Sequence, residues 1–396
     1  MILSINGTHD EKTIDQIKNV DEKSVYTALM ADGHLGYIMP IGGVAAYDGK
    51  VSISGVGYDI ACGNCAIQTN TKIENIKNFL TEIADSIANE ISFGVGRKNA
   101  SGDAPTEHEL FNSDCWEILP KVIRESLKEK ARSQLGTVGS GNHYVDVFSD
   151  ESGYIWVGVH FGSRGLGHTI ASGFLSVSAN EKWGTKVPEH DGLIDLNTEL
   201  GIDYWEMMQL AGEYAYAGRR WVAEKVAKFV GSTENIQVVH NNHNFAWKEK
   251  HFGTDLVVIR KGATPAFDGQ MGFVGGSMGD DSVILCGVNS EQSELNLNST
   301  VHGAGRVMSR NEARGKINRK TGEIKSVGKV SQEMMNDWLG RENVILRGGG
   351  LDEAPQAYRR LGDVLSAHHD TIRILHTLKP LIVVMAGENE YDPYKD

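Results

Sequence analysis

Cysteine and proline are both scarce in this chain of 396 residues, which has four cysteines and eight prolines. Four cysteines are too few for the disulfide framework of a secreted protein, so we expect a reducing compartment. Long apolar runs are also missing, and the longest, residues 380–387, is far shorter than the roughly 20 residues that cross a bilayer. Residues 1–7 lack the basic start and apolar stretch of a signal peptide. Together these absences predict a cytoplasmic protein without a membrane segment.

Positively charged residues are fewer than negatively charged ones: the chain has 39 lysines and arginines and 52 aspartates and glutamates, which gives a formal net charge of −13. Proteins that bind nucleic acids nonspecifically usually carry a basic field, so this balance argues against that class. A local arginine cluster can still bind phosphates in an acidic protein. Glycine, in contrast, is abundant at 46 residues, many of them in short loops where backbone amides can approach an anion.

Periodicity predicts a mixture of helices and strands with no interdomain linker and no internal repeat. The predicted helices cover residues 73–87, 120–131, 203–230, 353–368 and 372–378. The predicted strands cover residues 51–54, 154–161, 236–240, 256–259 and 283–286. We therefore predict one α+β domain over residues 1–387, followed by an acidic tail over residues 388–396.

A carboxylate and a thiolate lie three positions apart in a glycine-rich segment, at Asp59 and Cys62. In a turn both side chains can converge on one ion, and a thiolate can bridge two divalent metals. The alternative is that Asp59 caps a turn and Cys62 is a small buried hydrophobic residue. Cys62 and Cys65 also form a C-x-x-C pattern, but no second such pair is present to complete a structural zinc site.

Three histidines beside glycine-rich or polar segments are further ligand candidates, namely His143, His160 and His243. A single histidine at a strand end is more often a hydrogen-bonded polar residue than a metal ligand, but several in similar settings favour a shared site. The polar cluster at residues 240–244 follows a buried strand, so it must be solvated, hydrogen-bonded or metal-bound. If these residues share one site with Asp59, the chain folds around a single centre.

His302 is the candidate nucleophile. Gly303 and Gly305 keep its loop open to a large group, and Arg306 and Arg310 follow, where they could stabilise charge on a transferred phosphoryl group. The alternative is a loop histidine with solvated arginines. A nucleophilic histidine together with Cys, Asp and His ligands indicates metal-assisted phosphoryl transfer.

Taken in order, these segments resemble the RtcB family of RNA-splicing and repair ligases. The matching segments are residues 32–36, 57–63, 136–143, 160–168, 242–244, 260–263, 276–279 and 302–310, with weaker similarity at 352–358 and 376–378. The resemblance extends from residue 32 to about residue 385. It implies a single α+β domain in which mixed and antiparallel sheets surround a central metal cleft, with helices outside.

The resemblance implies a ligand set for two manganese ions. Cys62 would bridge the ions, His143 and His160 would complete one of them, and Asp59 and His243 would complete the other. The softness of the thiolate by itself favours zinc, so zinc is the alternative metal.

The resemblance also implies how nucleotide and RNA are bound. His302 would attack the α-phosphorus of GTP and hold GMP, which then passes to an RNA 3′-phosphate, itself often formed from a 2′,3′-cyclic phosphate, before a 5′-hydroxyl attacks. The expected GTP contacts are Asn142, Asp146, Ser277, Gly303, Ala304, Gly305 and Tyr358. The expected RNA-phosphate contacts are Arg164, Lys261, Arg306 and Arg310. A protein partner of the archease or release-factor-like type is implied as well.

Two positions depart from the family pattern. Asp146 stands where a glutamate is usual, and Met385 stands where a lysine is usual. Both positions belong to the guanine site of the family. These departures motivate two rival hypotheses, a dinuclear metal phosphodiesterase that opens cyclic phosphates without ligating, and a noncatalytic protein that binds RNA ends.

Overall fold

The computed structural model of the chain describes residues 1–317, 324–388 and 390. Its helices, in chain order, are α1 (Glu11–Asp21), α2 (Ile53–Val56), α3 (Ile73–Ile76), α4 (Leu80–Glu90), α5 (Lys121–Gln134), α6 (Arg164–Ser178), α7 (Glu199–Phe229), α8 (Glu291–Leu295), α9 (Arg310–Arg314), α10 (Gln332–Glu342) and α11 (Leu361–Ser366). Its strands are β1 (Ile2–Ile5), β2 (Tyr26–His34), β3 (Ile41–Tyr47), β4 (Lys50–Ser52), β5 (Gly63–Lys72), β6 (Tyr144–Ser149), β7 (Tyr154–Phe161), β8 (Leu193–Asp195), β9 (Asn235–Asn242), β10 (Asn244–His251), β11 (Thr254–Lys261), β12 (Ala263–Pro265), β13 (Met271–Val274), β14 (Ser282–Gly287), β15 (Ser299–Val301), β16 (Gly315–Ile317), β17 (Ile324–Val327), β18 (Ile345–Gly349) and β19 (Ile372–Gly387).

Two large sheets carry the fold. One has five strands in the order β1-β2-β3-β11-β10. In the other the order is β13-β14-β19-β6-β7-β5-β9, and β18 pairs with β19. Within these sheets β1–β2 and β18–β19 pair in parallel, while the pairs at the centre of the second sheet are antiparallel. Mostly antiparallel sheets with helices around them confirm the predicted α+β class.

The long helix α7 covers the face of the second sheet behind the site. Thr198 starts the helix, because its side chain accepts a hydrogen bond from the backbone N–H of Gly201 at 3.1 Å. Val222 and Val226 are fully buried in the same apolar cluster as Val157 of β7. This packing fixes α7 against the strands that end at the site.

The segment at residues 372–378, which we predicted as a helix, is instead the first half of β19. Ile372, Leu375 and Leu378 recur every three positions, as on one face of a helix. In the structure the pairing of β14 with β19 shifts register between Ile284 and Leu285, so β19 contains one extra residue. A bulge of this kind interrupts the two-residue alternation of a strand, and the prediction was wrong for that reason.

Two other predicted elements are shorter in the structure. Within 353–368 the chain makes 3-10 turns, and only Leu361–Ser366 is α-helical, because Pro355 cannot continue a helix that begins before it. The predicted strand at 51–54 ends at Ser52, whose hydroxyl accepts a hydrogen bond from the backbone N–H of Gly55 at 2.9 Å and so begins α2.

Among the described residues, no helix combines the length and the apolar character needed to cross a membrane. Most of the predicted acidic tail, residue 389 and residues 391–396, lies outside the described residues. Glu390, which is described, forms an ion pair with Arg97 at 3.0 Å.

Candidate active site

A cavity of about 430 Å³ is lined by residues of both large sheets. Pockets of this size hold small-molecule ligands and cofactors. Every predicted site residue except Arg164 and Lys261 lines it, namely Asp59, Cys62, Asn142, His143, Asp146, His160, His243, Ser277, His302, Gly303, Ala304, Gly305, Arg306, Arg310 and Tyr358. The structure therefore brings together residues that are separated by up to 299 positions in the chain.

The connection between α2 and β5 presents Asp59 and Cys62. Ala61, between them, has a left-handed backbone conformation (φ 58°), which turns the chain sharply. The Ala61 N–H donates to the carbonyl of Asn244 at 2.7 Å, and the Cys62 carbonyl accepts from the N–H of His243 at 2.8 Å. The loop that carries the Cys62 thiol is thus fixed to the junction of β9 and β10.

Cys62, His143 and His160 form a compact group of potential metal ligands. The Sγ atom of Cys62 lies 3.6 Å from Nε2 of His143 and 3.7 Å from Nε2 of His160. The three donor atoms all lie within 4.8 Å of one another. Metal–ligand bonds of about 2.0–2.3 Å place neighbouring tetrahedral ligands between about 3 and 4 Å apart. The spacing of these atoms therefore fits ligands around one cation.

The tautomer of His160 is set by a neighbouring amide. Its Nδ1 donates to Oδ1 of Asn64 at 2.7 Å, and since that oxygen only accepts, Nε2 is left with its lone pair. Asn64 is held in turn, because its Nδ2 donates to the carbonyl of Phe273 at 2.8 Å. Burial lowers the pKa of His160 and of His243 well below the ordinary range. Both rings are therefore neutral, which is the metal-binding form of imidazole.

Burial, followed by the nearby charge of Asp59, raises the pKa of the Cys62 thiol well above its ordinary value. Burial also acts to raise the pKa of Asp59, but the hydrogen bond and the charge of His143 outweigh it and lower that pKa to about 2. Oδ2 of Asp59 lies 3.2 Å from Nε2 of His143. The Cys62 thiol therefore loses its proton only when a cation binds. Together with a carboxylate and neutral imidazoles, the resulting thiolate forms a donor set that fits a transition-metal dication.

His243 and His302 extend the cluster along the cavity. The ring centroids of His143 and His160 are 5.4 Å apart, those of His160 and His243 are 5.1 Å apart, and those of His243 and His302 are 4.8 Å apart. His243 is not one of the three residues whose donor atoms lie within 4.8 Å of one another. The Asp59 carboxylate contacts His143 rather than His243, with which the sequence analysis grouped it. His243 therefore lies between the compact cluster and His302.

Asp32, at the end of an apolar run in β2, orients His302. Its Oδ2 lies 2.6 Å from Nδ1 of His302 and also accepts hydrogen bonds from the backbone N–H groups of His302 at 3.0 Å and Gly303 at 3.2 Å. Burial acts to raise the pKa of Asp32, but the charge and hydrogen bonds of His302 outweigh it and lower that pKa. The anionic carboxylate keeps a proton on Nδ1 and leaves Nε2 with its lone pair.

Asp32 is not among the site residues predicted from the sequence. The signal was present in the sequence, because a carboxylate directly follows the apolar residues 28–31, and a buried carboxylate needs a partner. Its partner is 270 positions away, and nothing in the sequence indicates that distance.

Arg306 and Arg310 reach the cavity wall, where two buried acids hold them. Nη1 of Arg306 donates to the hydroxyl of Tyr358 at 2.9 Å and lies 3.4 Å from Oε2 of Glu353. Nη1 of Arg310 lies 3.2 Å from Oδ2 of Asp352 and is also paired with Glu353. The two acids, to which the sequence analysis gave no role, fix both guanidinium groups beside the pocket and limit the positive charge there.

Arg164 and Lys261 are not among the residues that line the cavity. Nη2 of Arg164 donates to the carbonyl of Gly94 at 3.1 Å. The Lys261 amine is buried and donates to the carbonyls of Tyr37 at 3.0 Å and Ser54 at 2.9 Å, and burial lowers its pKa to about 8. The structure therefore gives no support to the phosphate contact expected of Lys261, because its donors are used inside the protein.

The end of the cavity formed by β6 and β19 contains the two positions that depart from the family pattern. Asp146 and Met385 are both buried and both line the cavity. Burial raises the pKa of Asp146 well above its ordinary value. Its Oδ1 is buried and has no hydrogen-bond partner. A ligand with a donor at this end would satisfy an oxygen that the protein leaves unpaired.

Comparison with known proteins gives a consistent result. A family model described as "tRNA-splicing ligase RtcB" matches residues 14–386. The tRNA-splicing ligase RtcB of Archaeoglobus fulgidus is 31% identical over 94% of this chain and 90% of that protein. The RNA-splicing ligase RtcB of Escherichia coli strain K12 is 31% identical over 91% of this chain and 90% of that protein. A tRNA-splicing ligase RtcB of Thermococcus kodakarensis is 30% identical over 92% of this chain and 89% of that protein.

Proposed function

This chain belongs to the RtcB family, and from that membership we propose that it is an RNA ligase acting in RNA repair or tRNA splicing. It joins an RNA 3′-phosphate or 2′,3′-cyclic phosphate end to a 5′-hydroxyl end through GMP carried on His302. The observation that supports this function most directly is the unbroken series of contacts in one cavity from Cys62 through His160 and His243 to His302.

We propose that the cavity binds two manganese ions. The spacing of Cys62, His143 and His160 supports one of them. Asp59, which contacts His143, and His243, which stacks on His160, are the candidates for the second. Bound dications would offset negative charge on the phosphoryl oxygens. Zinc is the alternative that the softness of the thiolate favours.

The nucleophile is prepared by the protein itself. Because Asp32 keeps a proton on Nδ1 of His302, Nε2 is the atom that attacks the α-phosphorus of GTP. The new Nε2–phosphorus bond forms as the bond to pyrophosphate breaks. The ring then carries positive charge, and the buried carboxylate of Asp32 stabilises it.

We assign the remaining cavity residues to the nucleotide. Asn142, Ser277 and the loop of Gly303, Ala304 and Gly305 would contact its phosphates, and their place on the cavity wall supports this. Tyr358 would stack on the guanine. Asp146 would accept from the amine edge of the base, which the unpaired Oδ1 supports, whereas Met385 offers no cation to the base carbonyl.

RNA phosphates would be bound by Arg306 and Arg310 at the cavity wall, with Arg164 next to the cluster. The pairing of Arg306 and Arg310 with Asp352 and Glu353 supports this, because it holds the guanidinium groups in place before RNA arrives. Lys261 is not part of this proposal.

We further propose that residues 1–387 form one ligase domain, because β19, which ends at Gly387, pairs with β6 directly beside His143. We also propose a cytoplasmic location, supported by four cysteines that are all unpaired. We propose a protein partner of the archease or release-factor-like type on the basis of the family resemblance.

A ligation assay tests the proposed function. An RNA with a 2′,3′-cyclic phosphate end and a second RNA with a 5′-hydroxyl are incubated with the protein, manganese and GTP, and joined RNA is expected only when GTP is present. Accumulation of the 3′-phosphate without joined RNA would favour the phosphodiesterase, which the departures at Asp146 and Met385 motivate. Tight binding of RNA ends that is unchanged in His302→Ala, without turnover, would favour the noncatalytic protein.

A further inference from the structure

Arg219, in α7, is a fully buried arginine whose side chain lies outside the cavity. Its guanidinium makes four short hydrogen bonds. Nη1 donates to the carbonyls of Ala61 and Phe161, each at 2.7 Å. Nη2 donates to Oδ1 of Asn242 at 2.6 Å, and Nε donates to Nε2 of His240 at 2.8 Å. One side chain therefore joins three separate segments of the chain to α7.

The three segments carry every candidate metal ligand except His143. Ala61 precedes Cys62, Phe161 follows His160, and Asn242 precedes His243. In the sheet, Gly63 is paired with both Phe161 and Asn242, so the three segments adjoin at one end of β5, β7 and β9. Strand ends fray when nothing holds them, and here a single planar group binds all three.

The acceptors of Arg219 are two carbonyls, an amide oxygen and an imidazole nitrogen, and none of them carries a negative charge. Burying a guanidinium against uncharged acceptors is costly, and an apolar residue would serve the packing of α7 at lower cost. The fork of five fixed donors, in contrast, suits the task of holding several acceptors in one plane. These contacts indicate that Arg219 fixes the positions of the three segments rather than adding to the stability of the fold.

We propose that Arg219 is a positioning residue of the metal centre, which holds the backbone on either side of Cys62, His160 and His243 so that the three side chains bind metal together. The proposal rests on the proposed function to the extent that the metal centre is part of it. Groups that support ligands in this way commonly affect metal affinity by about 10- to 100-fold.

Titration of the metal-free protein with cobalt(II) tests this role without any ligation. The thiolate-to-cobalt absorption band reports binding at Cys62, and the visible bands report the number and arrangement of ligands. We expect Arg219→Met to weaken cobalt binding at least about tenfold and to reduce the visible bands. Arg219→Lys, which can reach fewer of the four acceptors, should weaken binding by a smaller factor.

Arg260→Lys is the matched control for Arg219→Lys. Arg260 is also fully buried and makes several hydrogen bonds, but its partners are Ser299, Glu249 and the carbonyls of Leu297 and Asn298, and none of these residues is a candidate metal ligand. We expect Arg260→Lys to lower the thermal stability of the metal-free protein while its cobalt titration matches that of the wild type.

Each outcome of these titrations either supports or overturns the proposed role of Arg219. Wild-type cobalt binding and spectra in folded Arg219→Met, or an equal loss in Arg260→Lys, would overturn the role of Arg219. If Arg219→Met does not fold, Arg219→Lys decides, and wild-type cobalt affinity in that variant would overturn the role. If the wild type itself shows no thiolate-to-cobalt band, the metal centre and with it the proposed function fail, which is a different result.

Discussion

Nδ1 of His302 lies 2.6 Å from Oδ2 of Asp32, a fully buried carboxylate in β2. The same oxygen accepts from the backbone N–H of His302, so the carboxylate fixes both the ring and the loop that carries it. A histidine held in this way presents one defined nitrogen to the cavity.

Asp32→Asn should retain the fold and lose most of the reaction of His302 with GTP. An amide of the same size no longer enforces the proton on Nδ1 or stabilises a positive ring, and the equivalent change in a catalytic triad lowers turnover about 10⁴-fold. We expect the rate of labelling with α-labelled GTP to fall by about 10²- to 10⁴-fold. Manganese content serves as the control, and it should not change because Asp32 is not in the ligand cluster. Labelling at the wild-type rate would remove Asp32 from the mechanism.

Cys62→Ala should abolish metal binding, whereas Cys65→Ala should leave it intact. The two cysteines are three positions apart and both buried, but only Cys62 has its sulfur close to two imidazoles. The measurement is metal content by mass spectrometry after loading with manganese or zinc, which also shows which metal is preferred. Equal metal content in the two variants would mean that the thiolate is not a ligand.

Lys261→Met should change the pH dependence of stability. Burial lowers the pKa of Lys261 to about 8, from an ordinary value near 10.5, so between these pH values the unfolded chain binds more protons than the folded chain. Below pH 8 both states are protonated, and the cost of burying the ammonium group is fully present. Relative to Lys261→Met, the unfolding free energy of the wild type should therefore rise by about 2–3 kcal/mol between pH 7.5 and 10.5, measured by urea unfolding.

The same variant distinguishes a buried structural lysine from a phosphate contact. At pH 7.5 Lys261→Met should bind RNA with the wild-type dependence on salt, because the amine donates to backbone carbonyls. A decrease of about one in the slope of log affinity against log salt would restore the phosphate role.

Asp146→Ala should weaken the use of GTP without affecting metal binding. If the unpaired Oδ1 accepts from the amine edge of guanine, its removal should cost about 10- to 100-fold in labelling by GTP. Labelling by ATP, whose base has neither the N1–H nor the 2-amino group of guanine, is the control and should be unchanged. An equal loss with both nucleotides would mean that Asp146 supports the cavity rather than the base.

Site residues with distinctive chemistry that lie in a distinctive local sequence could be predicted without a structure. Cys62 and His143 each lie in a glycine-rich segment, and the structure places both on one cavity, although their roles stay predictions. Contacts between residues that are distant in the sequence could not be predicted. The pairing of Asp32 with His302 and the contacts of Arg219 depend on which strands adjoin, and a single sequence does not encode that in its local pattern.

The strand β19 shows a second limit of prediction from sequence periodicity. Its bulge opposite Leu285 places apolar residues at helical intervals, so periodicity by itself predicts the wrong element. Only the neighbouring strands β14 and β6, which are distant in sequence, determine that the segment is extended.

The most direct test of the central claim is to incubate the protein with α-labelled GTP and manganese and to map the label. An acid-labile label on His302, absent from His302→Ala, is the predicted result. A protein that is loaded with metal and yet takes up no label, or takes it up equally well as His302→Ala, would contradict the claim that His302 carries GMP.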